Sequence, residues 1–309
     1  MIVEPSGTLA VLDRVDGSVF RVSPNTGART ILSNRSTGTG LNFSDPVDIA
    51  RQADGTFVVV DRNRDGVFEV NPQTGNRTVI SGCPQGGQPC PVALIGSGPP
   101  FRRLVSVAVE TRGTLIVVDA EAQAVIRVLP STGNRTVLSS ATRGSGPNLD
   151  EPMGIAVKSN GQLALIDTSL DAVVEIDPVS GDRTIISGCS EAPDPCPVPL
   201  VGFGPSFLRP VDVAVRPNRT LVVIDVDRGA AIEVNPNTGT RTILSDAATS
   251  VGPVFLEPTS IAVDRNRRLF ISDLVRRAVL QVNPASGERQ ISSQAPALNV
   301  SPSHGFPVI

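Results

Sequence analysis

Pro178-Val179-Ser180-Gly181-Asp182-Arg183 is one of six copies of a phrase in which an apolar run leads to Pro-x-(Thr/Ser)-Gly-x-Arg and a second apolar run follows. The other copies open at Pro24-Asn25-Thr26-Gly27, Pro72-Gln73-Thr74-Gly75, Pro130-Ser131-Thr132-Gly133, Pro236-Asn237-Thr238-Gly239 and Pro284-Ala285-Ser286-Gly287. Proline presets φ at the turn's second position and glycine supplies the positive φ that follows, so each phrase reads as two strands joined by a turn. Successive glycines stand 48, 58, 48, 58 and 48 residues apart, and joining the two ends leaves 49, one more short repeat. A period near 50 marks a propeller or array.

Residues 152–187 show a complete unit. Ile155-Ala156-Val157 is a short first strand and Asn160-Gly161 a tight-turn dipeptide. Leu163-Ala164-Leu165-Ile166 is an apolar second strand ending at Asp167, Ala172 to Ile176 a third, and Arg183 to Ser187 a fourth. Second strands such as Leu115-Ile116-Val117-Val118 lack polar alternation, which requires burial on both faces. A blade between two other blades meets that requirement. The chain is therefore expected to be all-β: a single domain over residues 1–309, folded as a six-bladed β-propeller of four-stranded antiparallel blades. Pro307-Val308-Ile309 followed by Met1-Ile2-Val3 aligns with Pro152 to Val157, so pairing of the N- and C-terminal segments is expected to close the ring.

The units, for example Leu221-Val222-Val223-Ile224-Asp225 followed by Ala231-Ile232-Glu233-Val234, resemble those of NHL-type six-bladed propellers. That broad group also resembles gluconolactonase-like and streptogramin-lyase-like proteins. The resemblance covers the whole chain and implies a fold rather than a chemistry.

Net charge is −3 and the isoelectric point about 5.3, which offers no attraction for phosphate backbones. Trp and Tyr are absent, removing the usual stacking platforms for bases and sugars. No nucleic-acid partner and no membrane insertion are expected, since no apolar run approaches the ~20 residues of a span. The four cysteines form two matched pairs, Cys83/Cys90 and Cys189/Cys196, each in Ser-Gly-Cys-x6-Cys-Pro. Local disulfides and an oxidising compartment, extracellular or periplasmic, are the simplest reading. Zinc and free thiols are the alternatives; zinc sites prefer a tighter cysteine spacing and His304 is the lone histidine. Met1-Ile2-Val3 begins inside a repeat with no signal peptide visible, so the expectation of secretion rests on the cysteines.

Meander connectivity places the turns between strands one and two and between three and four on one face. The other face receives the two–three loops, the connections between blades and the channel mouth. Function is sought there because the connections bearing the cysteines are the elaborated loops. Asp13, Asp61, Asp119, Asp167, Asp225 and Asp273 end every second strand and read first as turn caps. The position before the first strand reads Asp45, Arg103, Glu151, Arg209, Glu257 and Phe306, so acids and bases alternate and neighbouring blades are placed to pair them. Three residues on come Asp48, Ser106, Gly154, Asp212, Ser260 and Ile309; Asp48 and Asp212 stand out as acids in two blades only.

Asp61-Arg62-Asn63-Arg64-Asp65-Gly66 matches the opening of a calcium loop through Asp61, Asn63 and Asp65, but Pro72 stands where the twelfth-position Glu belongs. No cofactor is required by the sequence; Ca²⁺ or another divalent cation is the candidate. The streptogramin-lyase resemblance implies a metal with a histidine constellation, which His304 alone does not supply, and a Ser-His-Asp triad meets the same obstacle. His304 aligns with Phe43, Phe101 and Phe207, a blade-packing position. Gluconolactonase-like enzymes imply Glu, Asn and Asp around a divalent metal, a set that does not map cleanly here. Asn34, Asn76, Asn134 and Asn218 open Asn-x-Ser/Thr sequons, three of them Asn-Arg-Thr, which the repeat itself generates. The expectation is a monomeric, exported, non-catalytic module that binds a protein or small-molecule ligand. The alternative is a metal-dependent hydrolase or lactonase at the channel mouth.

Overall fold

In the computed structural model, which describes residues 1–82, 95–189 and 200–295, the repeats form six four-stranded antiparallel sheets, with 24 strands among the described residues. Blade 1 spans 2–33, blade 2 46–82, blade 3 104–139, blade 4 152–188, blade 5 210–245 and blade 6 258–294. In blade 4 the strands are Pro152–Val157, Leu163–Asp167, Ala172–Ile176 and Arg183–Gly188, close to the spans expected from the sequence.

The unbroken apolar second strands have a direct cause. Leu163 and Leu165 pack toward blade 3, whereas Ala164 and Ile166 pack toward blade 5. Phe57 and Val59 likewise face blade 1 while Val58 and Val60 face blade 3. Alternate side chains thus serve opposite neighbours, and the second strands of blades 2 to 5 are buried throughout. One hydrophobic cluster spans each of the six blade boundaries, including blade 6 to blade 1 through Met1, Leu9, Val22, Ala262, Phe270 and Val279.

The outer rim is joined by a polar clamp. The motif arginine of each of blades 2 to 6 is buried against the preceding blade. Arg183 donates through Nη1 to Ser139 Oγ and to the carbonyls of Ser140 and Arg143 at 2.8, 2.8 and 2.9 Å, and through Nε to the Pro147 carbonyl at 2.5 Å. Arg77, Arg135, Arg241 and Arg289 repeat the pattern on Ser33, Ser81, Ser187 and Ser245. Each of these serines donates to the motif glycine carbonyl of the next blade, as from Ser139 Oγ to Gly181 O at 2.7 Å. At the closing boundary Ser293 Oγ donates to the Gly27 carbonyl at 3.0 Å and Arg29 Nε to Ser293 Oγ at 2.8 Å. Burial lowers the pKa of all five clamped guanidinium groups from the ordinary arginine value. Phe43, Phe101, Phe207 and Phe255, all buried, lie beneath the guanidinium groups of Arg77, Arg135, Arg241 and Arg289 at 5.1–5.8 Å. This is the blade-packing position expected for the phenylalanines; His304 lies outside the described residues.

Two expectations need correction or restriction. The connections between blades and the three–four turns do not stay on separate faces, because they meet at the rim. Gly144 and Gly146, with φ of +75° and +98°, press against the carbonyls of Gly181 and Arg183, leaving no room for a Cβ. Twist carries the outer strand far from the channel direction, so its end reaches the neighbouring blade's turn. As for closure by both termini, all four strands of blade 1 come from residues 2–33, and residues 296–309 lie outside the described residues.

We expect Arg183→Leu to strand several buried carbonyls and to lower stability by about 3 kcal/mol, with Ser139→Ala costing about 1–2 kcal/mol. Denaturant midpoints of the two variants check both values, and a neutral Arg183→Leu would show that the clamp is dispensable.

Candidate functional site at the channel and its rim

The first strands line a central cavity of about 230 Å³ whose wall includes Met1, Asp48, Arg51, Asp212 and Ser260. Five backbone N–H groups at equivalent places of blades 2 to 6 face this channel, with the Met1 amino group in the sixth place, and four side chains reach all six. Asp48 accepts from its neighbour Ile49 N at 2.8 Å through Oδ1 and from blade 3 through Oδ2, from Val107 N at 2.9 Å and Ser106 Oγ at 2.7 Å. Ser106 Oγ accepts from Ile155 N of blade 4 at 3.3 Å. Asp212 Oδ1 accepts from Val213 N and Oδ2 from Ile261 N of blade 6, each at 2.8 Å. Ser260 Oγ accepts from the Met1 amino group of blade 1 at 3.2 Å.

The placing of the two acids now has a reason. A serine reaches one nitrogen, that of the next blade. Blade 4 carries Gly154 in this column, and a Cβ there would meet Asp212 Cα at 2.6 Å. Blade 4 thus supplies no acceptor for Val213 N, so Asp212 serves both that nitrogen and the next blade's. Asp48 does the same beside blade 1. The column of residues was legible in the sequence; the hydrogen-bonded belt was not, because a linear alignment does not show which blade each side chain leans toward.

The narrow channel raises the Asp212 pKa to about 6, first through burial and then through the charge of Asp48. The ladder aspartates are caps. Asp167, fully buried, accepts from Asp150 N, Glu151 N and Leu170 N; Asp119, Asp225 and Asp273 do the same, and Asp13 accepts from Val15 N and Asp16 N within its own turn. Asp61 follows suit, its oxygens taking Ser44 N, Asp45 N and Arg64 N at 2.7–3.1 Å. Asn63 is exposed at the tip of this strand-to-strand turn, in which Asp61 pairs with Gly66. Asp65 adopts φ +43°, and burial together with Asp119, Glu121 and Asp61 raises its pKa to about 6. Among the described residues, no group of three or more His, Cys, Asp or Glu is placed to hold a metal ion.

At the rim the expected charge alternation is realised in part. Asp45 pairs with Arg14 of blade 1 at 2.9 Å and with Arg62 of its own blade at 2.6 Å. Arg103 reaches Glu151 across a blade boundary at 3.9 Å. Arg209 turns instead to Asp227 in its own blade at 2.7 Å, leaving Glu257 without an ion pair among the described residues. Phe306 and Cys83, Cys90 and Cys196 lie outside the described residues; Cys189 is buried with φ +80°.

The Gly-x-Gly pairs of the connections, such as Gly96/Gly98 and Gly202/Gly204, escaped the sequence reading. Their signal was present: each stands at the same distance ahead of a motif glycine. The residue after that glycine caps them, as Asn134 Oδ1 does for Ser97 N at 2.9 Å, so two sequon asparagines, Asn76 and Asn134, hold the rim together.

No protein-family model matches the chain, and comparison with curated proteins finds no match. Solved structures do match. Virginiamycin B lyase from Staphylococcus aureus superposes with a TM-score of 0.54 at 15% identity, over 82% of this chain and 71% of that one. A nidogen/laminin complex gives 0.66 at 14% identity, over 91% and 90%. A protein of unknown function from Bacteroides thetaiotaomicron gives 0.64 at 15% identity, over 89% of this chain and 66% of that one. These are propellers, and the likeness is one of fold.

Because the fold holds the Asp212 proton more tightly than the unfolded chain does, acidification from about pH 6 to about pH 4 favours the folded state at this group. Denaturant midpoints measured across that range are expected to rise relative to those of Asp212→Ser as pH falls. A difference that does not change with pH would refute the shift. Asp65→Ser, measured separately, isolates the second raised carboxyl.

Proposed function

We propose that this six-bladed propeller is an exported, non-catalytic binding module. Its working surface is the face that carries the channel mouth, the two–three loops and the inner ends of the blade connections. The observation that supports the reading is the assignment of the channel carboxylates. Asp48 and Asp212, the two most site-like acids, each hold backbone N–H groups of adjacent blades with both oxygens. Asp61 is likewise filled by three N–H groups. These acids serve the ring first, and the variable residues left to meet a ligand are those of the rim and its loops. Other proteins of this architecture bind partners, as in the nidogen/laminin complex.

The rival is a metal-dependent hydrolase or lactonase, and the observation in its favour is the raised pKa of Asp212 in the field of Asp48. Calorimetry with Ca²⁺, Mg²⁺ and Zn²⁺ separates the two. The comparison protein is Asp48→Ser/Asp212→Ser, which keeps an acceptor where Ser106 and Ser260 already serve. We expect no saturable heat in either protein; a saturable heat that the double variant loses would favour the hydrolase.

Export rests on the proposed pairs Cys83–Cys90 and Cys189–Cys196. Thiol titration of unreduced protein from an oxidising compartment is expected to find no reactive thiol, rising to four after denaturation and reduction, the number of cysteines in the chain. Four thiols before reduction would remove the argument for export.

A further inference from the structure

We propose that the channel-mouth face of blades 5 and 6 docks an acidic, leucine-bearing segment of a partner protein. The inference rests on the binding reading above and gives it a place and a chemistry. The residue preceding the rim charge is Ser44 in blade 2, Arg102 in blade 3 and Asp150 in blade 4, but Leu208 and Leu256 in blades 5 and 6, 52% and 49% exposed. The pair following the ladder aspartate is Arg62-Asn63, Ala120-Glu121 and Thr168-Ser169 in blades 2 to 4, Val226-Asp227 in blade 5 and Arg14-Val15 in blade 1, where Val15 is 89% exposed. In blade 6 it is Leu274-Val275, 49% and 60% exposed, with Val254 nearby at 42%. Single exposed apolar residues are ordinary, whereas a group departing together from a polar repeat pattern marks an interaction surface.

Backbone contacts join the two blades here. Leu256 N and Leu208 N are fixed by Asp273 and Asp225, Leu274 N donates to the Glu257 carbonyl at 2.9 Å, and Gly229 of blade 5 abuts the Phe255 carbonyl of blade 6.

Charge sets the partner's chemistry. Arg228 is anchored on the Ser206 carbonyl and Arg276 on the Val254 carbonyl, each at 2.7 Å, contacts that orient a guanidinium group without neutralising it. Burial and then the charge of exposed Arg277 lower the Arg29 pKa, with Asp13 opposing. None of Arg228, Arg276 and Arg277 has a carboxylate ion pair among the described residues, and Glu257 is likewise unpaired there. A locally cationic, leucine-rich sector on a chain of net charge −3 complements an acidic segment with apolar side chains.

The test is fluorescence anisotropy at low ionic strength with three labelled peptides of equal length, built from Leu/Asp, Leu/Arg and Ser/Asp. The proteins are the full chain, Leu256→Ser/Leu274→Ser, Arg276→Ser/Arg277→Ser and, as a control on the same face, Arg102→Ser/Glu121→Ser. All these positions are at least partly exposed, so the fold is expected to survive. We expect saturable binding of the Leu/Asp peptide, weakened at least about tenfold by either blade 6 variant and unchanged in the control, with the other peptides binding more weakly. Equal binding of the Leu/Arg peptide overturns the acidic chemistry, and no binding of any peptide overturns the proposal. Loss of binding in the control alone moves the site to blade 3 and leaves the general binding reading standing. Self-association of the free protein, abolished by Leu256→Ser/Leu274→Ser in sedimentation, would make a second copy the occupant and also overturn the proposal. Failure of the binding reading itself shows elsewhere, as a saturable metal heat in the calorimetry.

Discussion

The contact on which the ring depends is a buried guanidinium group that finds carbonyl oxygens instead of a carboxylate. Arg77, Arg135, Arg183, Arg241 and Arg289 each leave their own blade and close around the connection that leads into it. Desolvating a charge is costly, and only a dense set of aligned acceptors offsets it. The connection therefore curls so that several carbonyls point at one side chain, and glycines with positive φ let it curl. The serine beneath, donating to the next blade's glycine carbonyl, completes the link. Hydrophobic clusters supply the larger driving force for stacking blades, but they are non-directional. The clamp adds directional contacts between each blade and the next.

At the channel the same problem appears with opposite polarity. Backbone nitrogens of the first strands face a space too narrow to hydrate freely, and acceptors must be found. Two serines and two aspartates provide them around the ring. The ring is thus tied by cations at the rim and by serine and aspartate acceptors at the axis, with apolar strands between. The binding proposed for this chain would fall to side chains that neither layer uses.

Much of this was legible from residues alone. The Pro-x-(Thr/Ser)-Gly turn, the apolar second strand and the capping aspartate are local devices with local causes, and their spans in blade 4 matched closely. The rim acids and bases were found as a column, yet their pairing followed geometry: Arg103 crosses to the next blade while Arg209 stays with Asp227. Asp48 and Asp212 stood out in the sequence as acids present in two blades only. Their meaning depended on Gly154, whose lack of a side chain matters only because blade 5 lies against it.

Repetition is one-dimensional information, so the sequence by itself determined the number of blades, the strand order within them and the conformation of each turn. These depend on residues a few positions apart, where proline, glycine and aspartate act through φ and short-range hydrogen bonds. Tertiary structure alone decided what the motif arginine touches, why two blades carry a channel acid and where exposed leucines gather. Those contacts join residues about forty to sixty positions apart, brought together by ring closure and strand twist. A phrase that reads as a hairpin turn becomes, in three dimensions, the joint between neighbouring blades.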